Sequence, residues 1–98
     1  MSDYQEKFII GLGNPGKKYD NSRHNIGFLL IQQFAKNNSS TFLLKNKIRC
    51  KYSEFKLDGV VYRLFMPTTF MNNSGEAVRA IIDWFKVNKD KLIIVVDD

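Results

Sequence analysis

Short apolar runs alternate with polar segments along the chain, and the spacing of the apolar residues predicts five strands and two helices. The predicted strands cover residues 7–10, 41–44, 50–57, 60–66 and 92–96, and the predicted helices cover residues 24–36 and 75–86. This order, β-α-β-β-β-α-β, indicates an α/β fold with a mixed, twisted sheet and flanking helices.

The apolar residues of each predicted helix fall on one face, at a spacing of about 3.6 residues. We expect these faces to pack on the sheet: Ile26, Leu29, Leu30 and Phe34 in the first helix, and Val78, Ile81, Ile82 and Phe85 in the second. Asn21 or Ser22 can cap the start of the first helix. Asn73, with Glu76 three residues later, resembles a capping box for the second.

Turn and strand-breaking residues mark the remaining strands. Asp58-Gly59 lies between two strand patterns and favours a hairpin, because both residues accept positive φ angles. Pro67 is expected to end the strand that follows. The run from Leu92 to Val96 lacks polar alternation, which is typical of a strand covered on both faces. Only Asp97 and Asp98 follow it, so we expect the sheet to be incomplete at its carboxyl end.

Composition narrows the class of protein. The 98 residues suit one small domain, and an apolar content of 44% is typical of a folded chain. The net charge of +5 favours phosphate-rich partners, although a well-solvated cationic surface explains it equally well. Cys50 is the only cysteine, which excludes an internal disulfide and a cysteine-based metal site. The sequence has no signal-peptide pattern and no long apolar run, so we expect a cytoplasmic protein without a membrane span.

One glycine motif matches a known fingerprint in its letters but not in its context. Gly11-x-Gly13-x-x-Gly16 follows a predicted strand, as in dinucleotide-binding proteins. In those proteins the helix begins within the motif and presents its amino terminus to a pyrophosphate. Here Pro15-Gly16 predicts a turn, and the acidic residue expected about 20 residues later is absent. The sequence therefore argues against a nucleotide cofactor.

His24, the only histidine, lies at a predicted helix start, where a surface or capping role is the more common one. Three polar residues change this interpretation, because Asn14, Asn72 and Asp97 each lie at the end of a predicted element. Side chains at element ends can converge at one edge of a sheet. A histidine, a carboxylate and two carboxamides, with no nucleophilic serine or cysteine among them, favour hydrolysis by an activated water.

The sequence has two groups of basic residues, of which the first could contact the end of a single-stranded nucleic acid. The first combines Tyr19 and Phe70 with nearby cations: Lys17, Lys18 and Arg23. For Phe70 and Met71, inward packing at a capped helix start explains the sequence equally well. The second group is interpreted as a solvated loop and strand edge rather than a binding site: Lys45, Lys47, Arg49 and Lys51.

Three segments together resemble the signatures of bacterial peptidyl-tRNA hydrolases. The first runs from residue 10 to residue 16 (IGLGNPG), continues with Tyr19 and ends at residues 23–27 (RHNIG). The second is residues 67–72 (PTTFMN) followed by Ser74-Gly75, and the third is residues 95–98 (VVDD). They occur in the family's order and spacing across essentially the whole chain, and this combination is highly specific.

The resemblance implies that residues 1–98 are the amino-terminal half of a single α/β domain, in an enzyme that hydrolyses the peptide–tRNA ester of peptidyl-tRNA. It implies that His24 is the general base, that Asp97 orients its imidazole, and that Asn14 distinguishes substrates with a blocked amino group. The residues expected to contact the tRNA 3′ end or the attached peptide are Tyr19, Phe70 and Asn72. No metal or other cofactor is implied, and the full-length protein is expected to be a monomer.

Two alternatives to an active hydrolase stay open. One is a non-catalytic RNA-binding module on the same fold, although such a module has no use for a His-Asp pair. The other is that the 98-residue chain alone is weak or inactive, since the family's second half supplies further substrate contacts. In that case the last strand would have an unpaired edge, which is a template for association.

Overall fold

The computed structural model describes residues 5–13, 26–68 and 74–95, which form two helices and a five-stranded sheet. The strands are β1 (Gln5–Gly11), β2 (Leu43–Lys45), β3 (Cys50–Leu57), β4 (Val60–Pro67) and β5 (Leu92–Val95), and the helices are α1 (Ile26–Asn37) and α2 (Ser74–Phe85). Short 3₁₀ segments precede β3 and β5, at Asn46–Ile48 and Lys89–Lys91. The predicted element order and the α/β class are confirmed.

The sheet has the strand order β2-β3-β4-β1-β5 and mixes both strand directions. Strand β1 pairs in parallel with β4 and with β5, whereas β2, β3 and β4 pair antiparallel. The predicted hairpin joins β3 to β4, with φ angles of 52° at Asp58 and 80° at Gly59. These positive angles are the reason that Asp-Gly is favoured in such a turn.

The main hydrophobic core lies between the sheet and α2. Phe8 and Ile10 of β1 contribute to it, together with Phe65 of β4 and Ile81 of α2. The rings of Phe8 and Phe65 stack with their centroids 6.3 Å apart, and Phe85 packs edge-on against Phe8 at 5.7 Å. The predicted stripe of α2 is therefore confirmed at Ile81 and Phe85.

Helix α1 packs on the sheet through a different face from the predicted one. Leu29 and Leu30, which we expected inside, are 45% and 55% exposed, whereas Gly27, Ile31 and Ala35 are buried. Small residues allow the helix axis to lie close to the strands. The face of α1 that carries them therefore packs on the sheet. Phe34 does pack inward, edge-on against the rings of Phe55 and Tyr62 at 5.0 and 5.1 Å. The side chain of Ile26 lies outside the described residues.

The last strand also differs from its prediction. Strand β5 pairs only with β1, so that it forms an edge of the described sheet, as expected for the 98-residue chain alone. Its faces are not covered as predicted, since Ile93 and Ile94 are each 46% exposed. It was predicted to be covered on both faces because its residues are continuously apolar. Apolar residues are buried only where other elements pack against them, and composition alone does not provide such elements. Strand β4 ends at Pro67, one residue beyond the predicted range. No helix in the described part of the chain is long and apolar enough to cross a membrane.

Candidate active site

The carboxyl ends of the three parallel strands meet at one edge of the sheet. In the register of the sheet, Ile10 of β1 lies opposite Phe65 of β4, and Gly11 lies opposite Val95 of β5. Helices α1 and α2 begin at the same edge, since each follows a parallel strand in the sequence. Ligand sites of parallel sheets form at such edges, where loops leave the strands.

Two glycines allow the start of α1 to touch the ends of β1 and β5. The Leu12 amide donates a hydrogen bond of 2.9 Å to the Val95 carbonyl. A Cβ atom on Gly27 would lie 2.6 Å from the carbonyl oxygens of both Leu12 and Val95, and one on Gly11 would lie 2.5 Å from the Gly27 oxygen. Such distances exclude any larger residue without a backbone shift. Gly11 and Gly27, which both belong to the first signature, thus have a packing role at this edge.

A second set of contacts ties the end of β4 to the start of α2. The Thr68 amide and hydroxyl donate hydrogen bonds of 2.8 and 3.0 Å to the Arg49 carbonyl. Arg49, in a left-handed conformation with φ of 54°, forms an ion pair with Glu76 in the first turn of α2. Glu76 was predicted to complete a capping box with Asn73, which lies outside the described residues.

The predicted site residues themselves are not among the described residues. This holds for His24, Asp97, Asn14, Tyr19, Phe70 and Asn72, and for the flanking cations Lys17, Lys18 and Arg23. The structure describes their neighbours in the chain: Gly13, Gly27, Thr68 and Val95. It brings the backbone at the two ends of the first signature together with the end of β5.

The one described thiol is unsuited to nucleophilic catalysis. Cys50 is fully buried, and burial raises the pKa of its thiol to about 12. A thiol with this pKa is protonated at neutral pH and therefore weakly nucleophilic. Within the described ranges, no group of three or more His, Cys, Asp or Glu side chains could hold a metal ion.

The structure also contains a cleft that the sequence did not indicate. It has a volume of about 450 Å³ and lies between β2, β3 and the carboxyl end of α2. The residues that define this α2–β3 cleft include Lys45, Lys47, Tyr52, Arg63, Trp84 and Phe85. They are spread over 41 positions of sequence, so that only strand pairing and helix packing bring them together. No motif in the sequence connects them.

The chain matches the family described as peptidyl-tRNA hydrolase over residues 8–98. It is 64% identical over 93 residues to a peptidyl-tRNA hydrolase of Prochlorococcus marinus subsp. pastoris, covering 95% of this chain and 46% of that protein. Identity to the peptidyl-tRNA hydrolase of Synechococcus elongatus is 40%, covering 100% of this chain and 48% of that protein.

A solved structure agrees with these sequence relatives. The crystal structure of peptidyl-tRNA hydrolase from Acinetobacter baumannii superposes with a TM-score of 0.90 at 30% identity, covering 100% of this chain and 50% of that one. The chain thus spans about half the length of the curated relatives it matches.

Proposed function

The chain belongs to the peptidyl-tRNA hydrolase family, and on that basis we propose that it forms the active-site half of an enzyme that hydrolyses peptidyl-tRNA. The reaction cleaves the ester between the peptide's carboxyl carbon and a ribose oxygen of the tRNA. Water supplies a hydroxyl group to the peptide and a proton to the ribose oxygen. The products are a free peptide and a free tRNA.

In the proposed mechanism, His24 accepts a proton from the attacking water. Asp97 orients the imidazole, and its negative charge raises the pKa of His24 from an ordinary value of about 6.5, which makes His24 a stronger base. The carboxamide of Asn14 selects substrates whose amino group is blocked. Neutral amides can also stabilise the oxyanion that develops on the ester carbonyl without adding charge. The mechanism uses neither a metal ion nor a nucleotide cofactor.

Substrate contacts are proposed for the two segments that flank this set. Tyr19 and Phe70 offer aromatic surfaces on which an unpaired base can stack. Asn72 offers hydrogen bonds to the tRNA 3′ end or to the attached peptide. The partner is therefore peptidyl-tRNA, recognised through its 3′ end, and the full-length protein acts as a monomer with residues 1–98 as the amino-terminal half of its single domain.

One observation carries this proposal: the contact among the end of β1, the start of α1 and the end of β5. A backbone hydrogen bond of 2.9 Å joins Leu12 to Val95, and a Cβ atom on Gly27 would lie 2.6 Å from the carbonyl oxygen of each. Asn14 and Asp97 each follow this contact by two residues, and His24 precedes it by three. These short separations along the chain support the proposal that the three residues share one site, because each residue extends the chain by at most about 3.8 Å.

The test is the rate of peptidyl-tRNA hydrolysis by the full-length protein. Replacing a general base costs about 10²–10⁴-fold in rate, so we expect a loss of that size for His24→Ala. We expect Asp97→Asn to lower the pH at which the rate reaches half its plateau, because the carboxylate no longer raises the pKa of His24. Lys36→Gln, at an exposed position in the last turn of α1, is the matched control and should keep the parent rate.

Parent-like hydrolysis by His24→Ala would exclude this histidine as the base. Tight binding of tRNA with no turnover by the parent protein would instead favour the alternative of a non-catalytic RNA-binding module.

A further inference from the structure

The α2–β3 cleft combines exposed aromatic surface with positive charge. Trp84 is 56% exposed, although it is large and apolar. The Nζ atom of Lys47 lies 5.4 Å from the centroid of the Trp84 ring, and that of Lys45 lies 5.9 Å from the centroid of Tyr52. Ring faces attract cations at such distances, and this attraction holds the two ammonium groups at the cleft.

The floor of the cleft is polar, and its charges are already compensated. Arg63 donates hydrogen bonds of 2.8 and 3.2 Å to Glu6 and one of 2.7 Å to the Tyr52 hydroxyl. Burial opposes the charge of Arg63, yet these bonds and the nearby Glu54 keep its pKa above the ordinary value. Arg63 therefore stays charged and is engaged by two carboxylates.

The two lysines have no such compensation. Within residues 5–13, 26–68 and 74–95, neither Lys45 nor Lys47 forms an ion pair with a carboxylate. The cleft therefore presents positive charge beside an exposed indole ring. An apolar partner would bury the two ammonium groups without a compensating anion, and this would cost binding free energy. The observations favour a ligand that carries both a flat ring and negative charge.

We propose that the α2–β3 cleft binds a single-stranded RNA segment, with one base stacked on Trp84 and its neighbouring phosphates at Lys45 and Lys47. A base can stack on an aromatic side chain only when it is unpaired, which is why a single strand fits and a duplex does not. The volume of about 450 Å³ falls within the range of about 300–1,000 Å³ that is usual for ligand clefts.

This inference goes beyond the proposed function, because the cleft contains none of the residues assigned to hydrolysis. It concerns binding alone and involves no ester. A failure of hydrolysis in the His24 variants therefore leaves it unaffected, and a failure of RNA binding at the cleft leaves the hydrolase proposal unaffected.

Trp84 is the only tryptophan of the chain, so its fluorescence reports on this cleft alone. The probe is an oligoadenylate of about four nucleotides, at the lower end of the usual site size for single strands. We expect it to quench Trp84 fluorescence, with an affinity that falls as salt rises. For two neutralised phosphates the slope of log K against log salt is about −1.4.

Matched variants test the assigned contacts through the anisotropy of a labelled oligonucleotide. We expect the double change Lys45→Gln and Lys47→Gln to remove about 1.4 from the salt slope. Trp84→Ala should weaken binding about 5- to 150-fold. Lys51→Gln is the control, because Lys51 is exposed in β3 but does not line the cleft, and it should bind as the parent does.

Four results would overturn the proposal. One is the absence of Trp84 quenching at oligonucleotide concentrations up to about 1 mM. Another is equal affinity of the double lysine variant and Lys51→Gln. If AMP binds as tightly as the oligonucleotide, the ligand is a free nucleotide and not an RNA strand. If a tetraglutamate peptide binds as tightly, the cleft recognises acidic peptides instead.

Discussion

At the scale of single residues, two glycines set how closely α1 approaches the sheet. The carbonyl oxygens of Leu12, Val95 and Gly27 occupy the space that a side chain at either position would need. Gly11 and Gly27 are part of the signature by which the sequence resembles its family. Packing alone explains why these two positions are glycine. The motif therefore contributes to the fold as well as to the candidate site.

The close contacts at Gly27 predict that an alanine substitution there affects stability differently from the same substitution at Gly75. Gly27→Ala would place its Cβ 2.6 Å from two carbonyl oxygens, so we expect it to lower the free energy of unfolding by about 1–3 kcal/mol. At Gly75, in α2, no atom lies within 4 Å of the added Cβ. Gly75→Ala should stabilise the chain by up to about 1 kcal/mol, because alanine restricts the unfolded state.

Urea unfolding of the two variants and the parent, followed by circular dichroism, measures both changes. Equal stability of Gly27→Ala and the parent would mean that the helix start is not held against the sheet as described.

At the scale of elements, α1 illustrates how a helix can bury its less hydrophobic face. Its inward residues include Gly27 and Ala35, which add little apolar surface, while Leu29 and Leu30 are largely exposed. The dominant buried side chain is Ile31, which is 2% exposed. The small residues permit close backbone contact, since a Cβ on Gly27 would lie 2.6 Å from the carbonyl oxygens of Leu12 and Val95.

Substitutions on the two faces of α1 should therefore differ in cost. We expect Ile31→Ala to lower the free energy of unfolding by about 2–5 kcal/mol, since it leaves a cavity in a packed interface. Leu30→Ala removes a side chain of the predicted but largely exposed face and should change stability by about 0.5 kcal/mol or less. Thermal unfolding of both variants distinguishes the two faces. A larger loss of stability for Leu30→Ala than for Ile31→Ala would favour the buried face that the sequence predicted.

At the scale of the whole molecule, the sheet of the described residues has an apolar edge at β5. The backbone of this strand pairs on one side only, and the exposed Ile93 and Ile94 add apolar surface beside the free edge. Unpaired, apolar edge strands are templates for pairing with another chain. We therefore expect the 98-residue chain to self-associate through β5.

Sedimentation velocity over a range of concentrations measures this association. We expect Ile94→Lys to weaken it about 10- to 150-fold, the effect of losing about 1.5–3 kcal/mol of side-chain burial and adding charge at the edge. Leu30→Lys places the same charge on an exposed apolar residue of α1 and is the matched control, which should associate as the parent does. A parent chain that stays monomeric at all concentrations would contradict the prediction.

Sequence alone determined the type and order of the elements, the β3–β4 hairpin and the family. These properties depend on local physics: the period of apolar residues, the φ angles that Asp58 and Gly59 accept, and signatures that are contiguous in the chain. They could be predicted because each is decided within a few residues.

Only the tertiary structure decided which faces are buried and which residues become neighbours. The exposure of Leu30, the exposure of Ile94 and the contact of Lys47 with Trp84 all depend on elements that are distant in sequence. The convergence of β1, α1 and β5 at one edge likewise follows from strand pairing and from the close backbone contacts at Gly27. Local periodicity does not contain this information, because burial depends on the partner that covers a residue as well as on the residue itself.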